Sequence, residues 1–359
     1  MVDLDYMNRA LLLAARGRGR TSPNPLVGAV VVADDGVVVG QGFHRRAGEP
    51  HAEVLALEES GRRARGATMY CTLEPCCHIG RTGPCVTRIV EAGISRLVAA
   101  IEDPNPLVNG KGFEYLRAHG VEVEVGLGAS AALAINQPFL TLMREGRPFV
   151  ILKAATSLDG YIAKAGSRTA LTSAAADRHA HALRAEIDAI GVGAGTILTD
   201  NPQLTARGAF RERPLTRVIF DRRLRTPAHA AVLSTRSLGP VIIMTSAAAA
   251  SNRALREPLE ARGADVEVAS AGTLRSALAR LAERQVASLL LEGGAAVHAA
   301  AWDEGVVDFV RVYVTPHVIG DGGVPFLAGR AFSPSTLIDP HEEPLGPDRL
   351  VEGYVHRPR

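Results

Sequence analysis

The sequence predicts two successive α/β units in one chain of 359 residues. Three observations lead there. The length exceeds what one ordinary domain of roughly 100–200 residues needs. Apolar residues make up 47% of the chain, enough for full cores rather than a disordered polymer. Strand-length apolar runs alternate with segments of helical periodicity from one end to the other, the pattern of layered α/β domains.

The elements follow in order. Leu4, Met7, Leu11 and Ala14–Ala15 fall at helical spacing and predict a helix over 3–16. Apolar runs at 26–33 and 37–43, divided by Asp34-Asp35-Gly36, predict a hairpin. Pro50 opens a helix that runs through Glu59 and stops at Gly61. A strand at 67–73 leads into a cysteine-rich segment, and Pro84 opens a helix ending at Gly93. Strand 96–101, helix 111–119, strand 121–125 and helix 129–145 complete the first half. The polar turn Glu145-Gly146-Arg147-Pro148 marks the boundary, giving domains 1–146 and 147–359. The second half starts with strand Phe149–Ala154. It continues with helix 173–185, strands 187–193, 216–220 and 239–244, helix 272–283, strand 287–291, helix 294–304 and strand 309–315. No internal repeat relates the halves, and the alanine run 247–250 is too short to interpret.

Formal charge is +2, from 40 basic and 38 acidic residues, so nothing favours nucleic acid or a membrane surface as partner. No apolar stretch reaches the ~18 residues of a membrane span. The acidic start Met1-Val2-Asp3-Leu4-Asp5 lacks a signal-peptide charge pattern, and a cytoplasmic protein is expected. All four cysteines, Cys71, Cys76, Cys77 and Cys85, lie within one segment. A disulfide framework would spread them; a cluster points to metal or catalysis.

The chemistry-bearing constellation is His51-Ala52-Glu53 followed by Pro75-Cys76 and Pro84-Cys85. A catalytic zinc needs three protein ligands and one open position for water, and one imidazole with two thiolates meets that count. Glu53 would stand nearby without binding the metal. In the first turn after Pro50, the side chains of His51 and Glu53 can both reach forward around the helix end. Cys85 also stands at a helix start, where the dipole favours a thiolate. Zinc there would lower the pKa of its water from ~15.7 toward ~7. Glu53 would take that proton and return protons to a ring nitrogen and to departing ammonia. The expected chemistry is therefore hydrolytic deamination of a pyrimidine-type ring. A purely structural zinc site is the plain alternative. Cys77 and His78, adjacent rivals as ligands, read as packing or loop residues, and Cys71 as a small buried hydrophobe.

The segment Cys71-Thr72-Leu73-Glu74-Pro75-Cys76-Cys77-His78-Ile79-Gly80-Arg81-Thr82-Gly83-Pro84-Cys85 spaces its two ligand cysteines nine apart, not three as in simple cytidine deaminases. With Ser22-Pro23-Asn24-Pro25-x-Val27-Gly28, His44-x-x-Ala47-Gly48-Glu49-Pro50-His51-Ala52-Glu53 and Asp103-Pro104-Asn105-Pro106, it resembles the bifunctional deaminase-reductases of riboflavin biosynthesis. The second half continues the likeness in Lys153-Ala154-Ala155-Thr156-Ser157-Leu158-Asp159-Gly160, Gly195-Thr196-x-x-x-Asp200-Asn201-Pro202-x-Leu204-Thr205-x-Arg207 and Leu291-Glu292-Gly293-Gly294.

The resemblance implies a cytidine-deaminase-like α/β/α domain followed by a dihydrofolate-reductase-like α/β domain. It implies a small phosphoribosylaminopyrimidine substrate, one zinc ion, and reduction of the opened ribose to ribitol with NADPH. A homo-oligomer is expected. Asn24, His44 and Arg81 would contact the deaminase substrate; Asn24 also reads as a turn residue between prolines. Ala155, Thr196, Asp200, Gly294, Ala295, Ala296, Val297, His298, Ala299 and Ala300 would line the NADPH site, and Arg184, Leu204, Arg207 and Glu292 the substrate site. Both arginines suit a ribose 5-phosphate gripped by a guanidinium fork. Without the family, each reads as a solvated charge. The family often has Ser-x-Trp-Ile where this chain has Arg168-Thr169-Ala170-Leu171, so the tryptophan contact is gone; the only tryptophan is Trp302.

Read without the family, the second half lacks Gly-x-Gly-x-x-Gly after its first strand. Gly191-Val192-Gly193-Ala194-Gly195-Thr196 has the wrong spacing, and a tight strand-end turn explains it equally well. Glu292-Gly293-Gly294 sets small residues between strand and helix, where backbone can approach a phosphate. Arg222 in Asp221-Arg222-Arg223, where the family often has serine, would pair with the 2′-phosphate of NADPH; a solvated arginine pair is the equal alternative. Two rival functions remain. One is a deaminase whose C-terminal domain binds nucleotide but no longer reduces. The other is a nucleic-acid editing protein, which the charge balance argues against.

Overall fold

The computed structural model describes residues 3–78, 83–166, 169–330 and 332–356. The expected substrate contact Arg81 and the departure at Arg168 lie outside these residues. The chain divides into two units between Glu145 and Gly146.

The first unit runs α1 (Asp3–Ala15), β1 (Gly28–Val32), β2 (Val38–Phe43), α2 (Ala52–Ser60), β3 (Thr68–Cys71), α3 (Cys85–Ala92), β4 (Arg96–Ala99), α4 (Lys111–Ala118), β5 (Glu122–Val125) and α5 (Ala129–Glu145). Its sheet has the order β2-β1-β3-β4-β5. β1 pairs antiparallel with both neighbours, and β3, β4 and β5 run parallel. Successive residues of β1 look to opposite faces. A Cβ on Gly28 would sit 2.0 Å from the Ala10 carbonyl oxygen of α1. Ala29, on the other face, is opposite Gly42, whose Cβ would sit 2.5 Å from the Ala52 carbonyl oxygen of α2. The two helices therefore cover opposite faces, and the five buried residues Gly-Ala-Val-Val-Val of β1 form the centre of an α/β/α sandwich.

The second unit runs β6 (Phe149–Thr156), β7 (Tyr161–Lys164), α6 (Ala174–Glu186), β8 (Ala189–Gly193), α7 (Ala194–Asp200), β9 (Thr216–Phe220), α8 (Ala231–Ser234), β10 (Val241–Thr245), α9 (Ala247–Ser251) and α10 (Arg253–Ala261). It continues with β11 (Asp265–Val268), α11 (Leu274–Glu283), β12 (Ser288–Gly293), α12 (Ala295–Asp303), β13 (Phe309–Val314), β14 (Gly323–Pro325), β15 (Ile338–Leu345) and β16 (Asp348–Tyr354). Nine strands form one sheet in the order β11-β10-β9-β8-β12-β6-β13-β16-β15. The first seven are parallel, and the hairpin β15–β16 closes one edge antiparallel. Leu289 and Leu291 of β12 enter the apolar cluster on one face, and Leu290 enters the cluster on the other. Burial on both faces is why this strand reads as a continuous apolar run.

The chain departs from the sequence reading in identifiable places. Gly191–Thr196 is no turn: β8 passes through Gly193 directly into α7. The alanine run is the body of α9, capped by the Ser246 hydroxyl. The edge strands β11 and β15 escape a reading by apolar runs because their sequences, DVEV and IDPHEEPL, are charged and largely solvent-facing. Among the described residues no helix is long and apolar enough to cross a membrane.

β6 is pinned to β13 by a buried ion pair. Arg147 donates from both terminal nitrogens to the two carboxylate oxygens of Asp308 at 2.7 Å, and Asp308 also accepts the Val150 N–H. Removing one partner of such a pair leaves a buried charge unmatched, at a cost of about 3–5 kcal/mol. Arg147→Ala should therefore lower the stability of the second unit by that order. Trp302, the only tryptophan, lies in this unit and reads it by fluorescence during denaturation.

Candidate active sites

In the first unit the expected ligands meet. His51 is the residue before α2, with extended backbone at φ −71° and ψ 163°. It therefore stands outside the first turn, where the sequence reading placed it. The change from extended to helical backbone after His51 is what lets it and Glu53 look into one site. Cys85 is the first residue of α3, and Cys76 lies in the loop after β3. His51 Nδ1 is 3.5 Å from the Cys76 sulfur and 3.3 Å from the Cys85 sulfur. All three ligand atoms lie within 4.8 Å of one another. Bonds of about 2.0 Å to nitrogen and 2.3 Å to sulfur around a tetrahedral ion would separate N and S by roughly 3.5 Å, so the spacing fits zinc. The Cys85 N–H also points at the Cys76 sulfur. Hydrogen bonds from Cys85 and His51 pull the Cys76 thiol down to about 4 against burial.

Glu53 is buried, and its Oε2 has no partner among the described residues. Burial pushes its carboxyl up, despite the neighbouring His51. An orphaned carboxylate oxygen beside two thiols and an imidazole fits a role toward a metal-held water and substrate. Cys77 turns away to the Leu107 carbonyl, and Cys71 is fully buried in β3.

Asn24 and His44 join this site. The Pro50 carbonyl can only accept, so His44 carries its proton on Nδ1 and presents the Nε2 lone pair to the Asn24 amide nitrogen, 3.1 Å away. Burial lowers the His44 pKa and favours this neutral form. The Asn24 carbonyl oxygen is thereby left for another partner. His44 and His51 rings meet edge-on at 5.3 Å. Sequence reasoning gave no role to two residues that hold the site together. Asn136 of α5 grips both main-chain groups of Leu26. Glu74 accepts from the N–H groups of Asp103, Gly110, Gly112 and Phe113, fixing the start of α4 behind the cysteine loop. The glutamate directly before Pro75-Cys76 was the available signal.

In the second unit, β6, β8 and β12 are parallel neighbours whose carboxyl ends share one edge, the usual place for ligands in such sheets. A cavity of about 860 Å³ opens there. It brings together the expected Ala155, Thr196, Asp200, Arg184, Leu204, Arg207, Glu292, Gly294, Ala295, Ala296 and His298. Val297, Ala299 and Ala300 of α12, and Arg222 beyond β9, are not in its lining. A Cβ on Gly293 would lie 2.8 Å from the Thr196 hydroxyl, so glycine lets the end of β12 approach the first turn of α7.

Within this cavity the Arg184 guanidinium is engaged by protein groups. Its Nε and one terminal nitrogen bond both oxygens of Glu292 at 2.6 Å, and the other terminal nitrogen bonds the Thr205 carbonyl at 3.0 Å. Lys153, quoted in a motif but given no role, stands 3.9 Å from Glu292 and over the Tyr313 ring. Burial pushes the Glu292 carboxyl up, but Arg184 and Lys153 outweigh it and hold it at about 2. The spacing of Asp177, His181 and Arg184 on one stripe of α6 was the signal for this wall of the cavity.

Known proteins match on both halves. Residues 1–101 match the cytidine and deoxycytidylate deaminase zinc-binding region, and residues 148–350 the RibD C-terminal domain. Riboflavin biosynthesis protein RibD of Aquifex aeolicus is 42% identical over 322 residues, 89% of each chain. The chain belongs to the RibD family. RibD of Escherichia coli is 39% identical over 338 residues, again 89% of each chain. Among solved structures, Acinetobacter baumannii RibD superposes with a TM-score of 0.86 at 36% identity, covering 98% of both chains. A Thermotoga maritima diaminohydroxyphosphoribosylaminopyrimidine deaminase/5-amino-6-(5-phosphoribosylamino)uracil reductase does so at 0.82 and 36%, covering 97% of both. The chain is thus an enzyme with a cytidine-deaminase-like domain followed by a RibD reductase domain.

The Glu292 carboxyl of this RibD reductase domain gives a pH prediction. It is held at about 2, against 4.5 for a solvated glutamate. A depressed pKa stabilises the fold fully above the unfolded value, and the stabilisation is lost as pH falls through the folded one. The loss should run from about pH 4.5 to 2 and reach roughly 3 kcal/mol. Denaturation followed at Trp302 should show this slope, and Glu292→Gln should flatten it.

Proposed function

We propose that the first unit hydrolytically deaminates 2,5-diamino-6-(5-phosphoribosylamino)pyrimidin-4-one, and that the second reduces the ribosyl side chain of the product to ribityl with NADPH. The observation that carries this reading is the meeting of His51 Nδ1, Cys76, Cys85 and the unpartnered Glu53 oxygen at two helix starts, on a chain spanning nine-tenths of its RibD relatives. His51, Cys76 and Cys85 would hold one zinc. Zinc, when bound, supplies a water whose proton is labile near neutrality. Glu53 accepts that proton and passes protons to the ring nitrogen and to the exocyclic amine, which leaves as ammonia as the ring carbon gains oxygen. Asn24 Oδ1, oriented through His44, receives a ring N–H or amino group.

In the second unit the small residues Gly294, Ala295 and Ala296, with Ala155, Thr196 and Asp200, would lie along NADPH, and Val297, Ala299 and Ala300 would support them from within α12. NADPH, when bound, would supply a hydride to the ribose C1′, which in the opened sugar is the imine carbon joined to the pyrimidine's amino nitrogen; C1′ becomes CH2 and that nitrogen takes one proton from solvent or a cavity group, the former ring oxygen remaining as the C4′ hydroxyl. Leu204 and Arg207 face the sugar phosphate, while Arg184 orients Glu292.

Glu53→Gln keeps size and leaves the zinc ligands intact but removes the proton carrier, so ammonia release should fall about 10²–10⁴-fold. The variant should still oxidise NADPH, read at 340 nm, when given the deaminated intermediate. Cys85→Ser should lose zinc by metal analysis. A wild-type chain that deaminates yet consumes no NADPH would instead be a deaminase with a nucleotide-binding but non-reducing C-terminal domain.

Arg222 stands two residues beyond Phe220, which pairs with Gly193 at the carboxyl edge, and its side chain is exposed. We propose that it pairs with the 2′-phosphate of NADPH. Arg222→Ala should then reduce the preference for NADPH over NADH about tenfold, the worth of a charge-assisted hydrogen bond; an intact preference refutes the pairing.

A further inference from the structure

We propose that His181 is a substrate-binding residue of the reductase cavity, its Nε2–H donating to the phosphate of the sugar-phosphate substrate beside the Arg207 guanidinium. The inference rests on the reductase reading above and adds a residue to it. His181 lies on the stripe of α6 that lines the cavity with Asp177, Ala180 and Arg184. Its Nδ1 accepts the main-chain N–H of Arg207 at 3.0 Å and faces a terminal nitrogen of Arg184 at 3.4 Å. Both neighbours can only donate, so Nδ1 holds the lone pair and the ring proton sits on Nε2. Burial, then the charges of Arg184 and Arg207, lower the His181 pKa and keep the ring neutral. Nε2 has no partner among the described residues. The ring is therefore a donor of fixed direction, clamped on its far side by the loop that carries Arg207.

The placement selects the ligand group. Arg184 is occupied by Glu292 and the Thr205 carbonyl. The Arg207 guanidinium has no hydrogen-bond or ion-pair partner among the described residues, and it is close enough to depress His181. A free guanidinium next to a neutral N–H donor suits an oxyanion with several acceptor oxygens, which the phosphate supplies. A ribose hydroxyl would gain little from the guanidinium.

The test compares wild type, His181→Asn and His181→Gln. Asparagine can keep an oxygen where Nδ1 accepts the Arg207 N–H, but it has no donor at the Nε2 position. Glutamine reaches that position with an amide N–H. Calorimetry with ribose 5-phosphate and with ribose reads binding without turnover. His181→Asn should weaken ribose 5-phosphate about tenfold and leave ribose unchanged, with His181→Gln recovering most of the loss. In the 340 nm assay the same variant should raise KM for the sugar-phosphate substrate about tenfold and change kcat less than about twofold. Unchanged ribose 5-phosphate binding in His181→Asn, equal losses for both ligands, or no binding to wild type would overturn the proposal. Wild type that binds ribose 5-phosphate but oxidises no NADPH would refute the reductase reading while the binding comparison still decides His181. An unaltered Trp302 denaturation midpoint shows that the variants fold.

Discussion

The first unit depends on how closely α2 can lie on β2. Gly40 and Gly42 present bare backbone on the face that receives the helix, and a Cβ on either would reach within 2.5 Å of a carbonyl oxygen of α2. Only because that face is bare does the helix begin where it does. Its start carries His51 and Glu53, so the geometry of the proposed zinc site is set by two glycines that touch no ligand. The opposite half of the site is fixed from behind. Glu74 gathers four main-chain N–H groups, which ties the loop bearing Cys76 to the start of α4. A buried carboxylate so fully satisfied is rigid, and rigidity is what an ion with preferred bond lengths asks of its ligands.

The second unit solves a different problem, that of keeping charges at a cavity wall. Four cationic side chains, of Lys153, Lys164, Arg184 and Arg207, line it against three carboxylates, of Asp177, Asp200 and Glu292. Glu292 is the hub. Its carboxylate is enclosed by Arg184 and Lys153, and Arg184 is itself held by the Thr205 carbonyl. A buried ion pair contributes little net stability over an apolar packing, but removing one member is costly. The cluster is thus better understood as fixing α6 against the end of β12 than as strengthening the fold. What it leaves over, the Arg207 guanidinium, is the charge available to an anionic ligand.

The sequence disclosed the elements whose physics is local and periodic. Every strand and helix anticipated in the first half exists, because each combines an apolar period with a glycine, proline or Asp-Gly stop, as at Gly61, Gly93 and Asp35-Gly36. The edge strands β11 and β15 were not anticipated, since pairing rather than burial makes them strands, and the inner, largely buried β16 was not anticipated either. The ligand triad was legible because histidine, glutamate and proline-preceded cysteines are rare in combination. Glu74 and Asn136 were not, because a carboxylate that caps a helix and an amide that grips the main chain of a loop look like any polar residue until the distant backbone arrives. The pairing of the Arg184 fork with Glu292 was hidden for the same reason. Its partner Glu292 lies 108 residues away, and a motif cannot show which of two polar groups a guanidinium will choose.

Arg184 and His181 also show how a cavity separates binding from support. An arginine is a strong candidate for phosphate only while its donors are free. Here the more buried arginine is consumed by structure, and the exposed one, Arg207, is free because only its main chain is engaged. The hydrogen bond from the Arg207 N–H to His181 places the loop without spending the guanidinium. It also decides the imidazole tautomer, since a main-chain N–H cannot accept a proton. A single backbone contact thereby sets the position of a cation and the direction of a neutral donor beside it. Neither property is visible in the identities of the two residues; both follow from which nitrogen the backbone happens to meet.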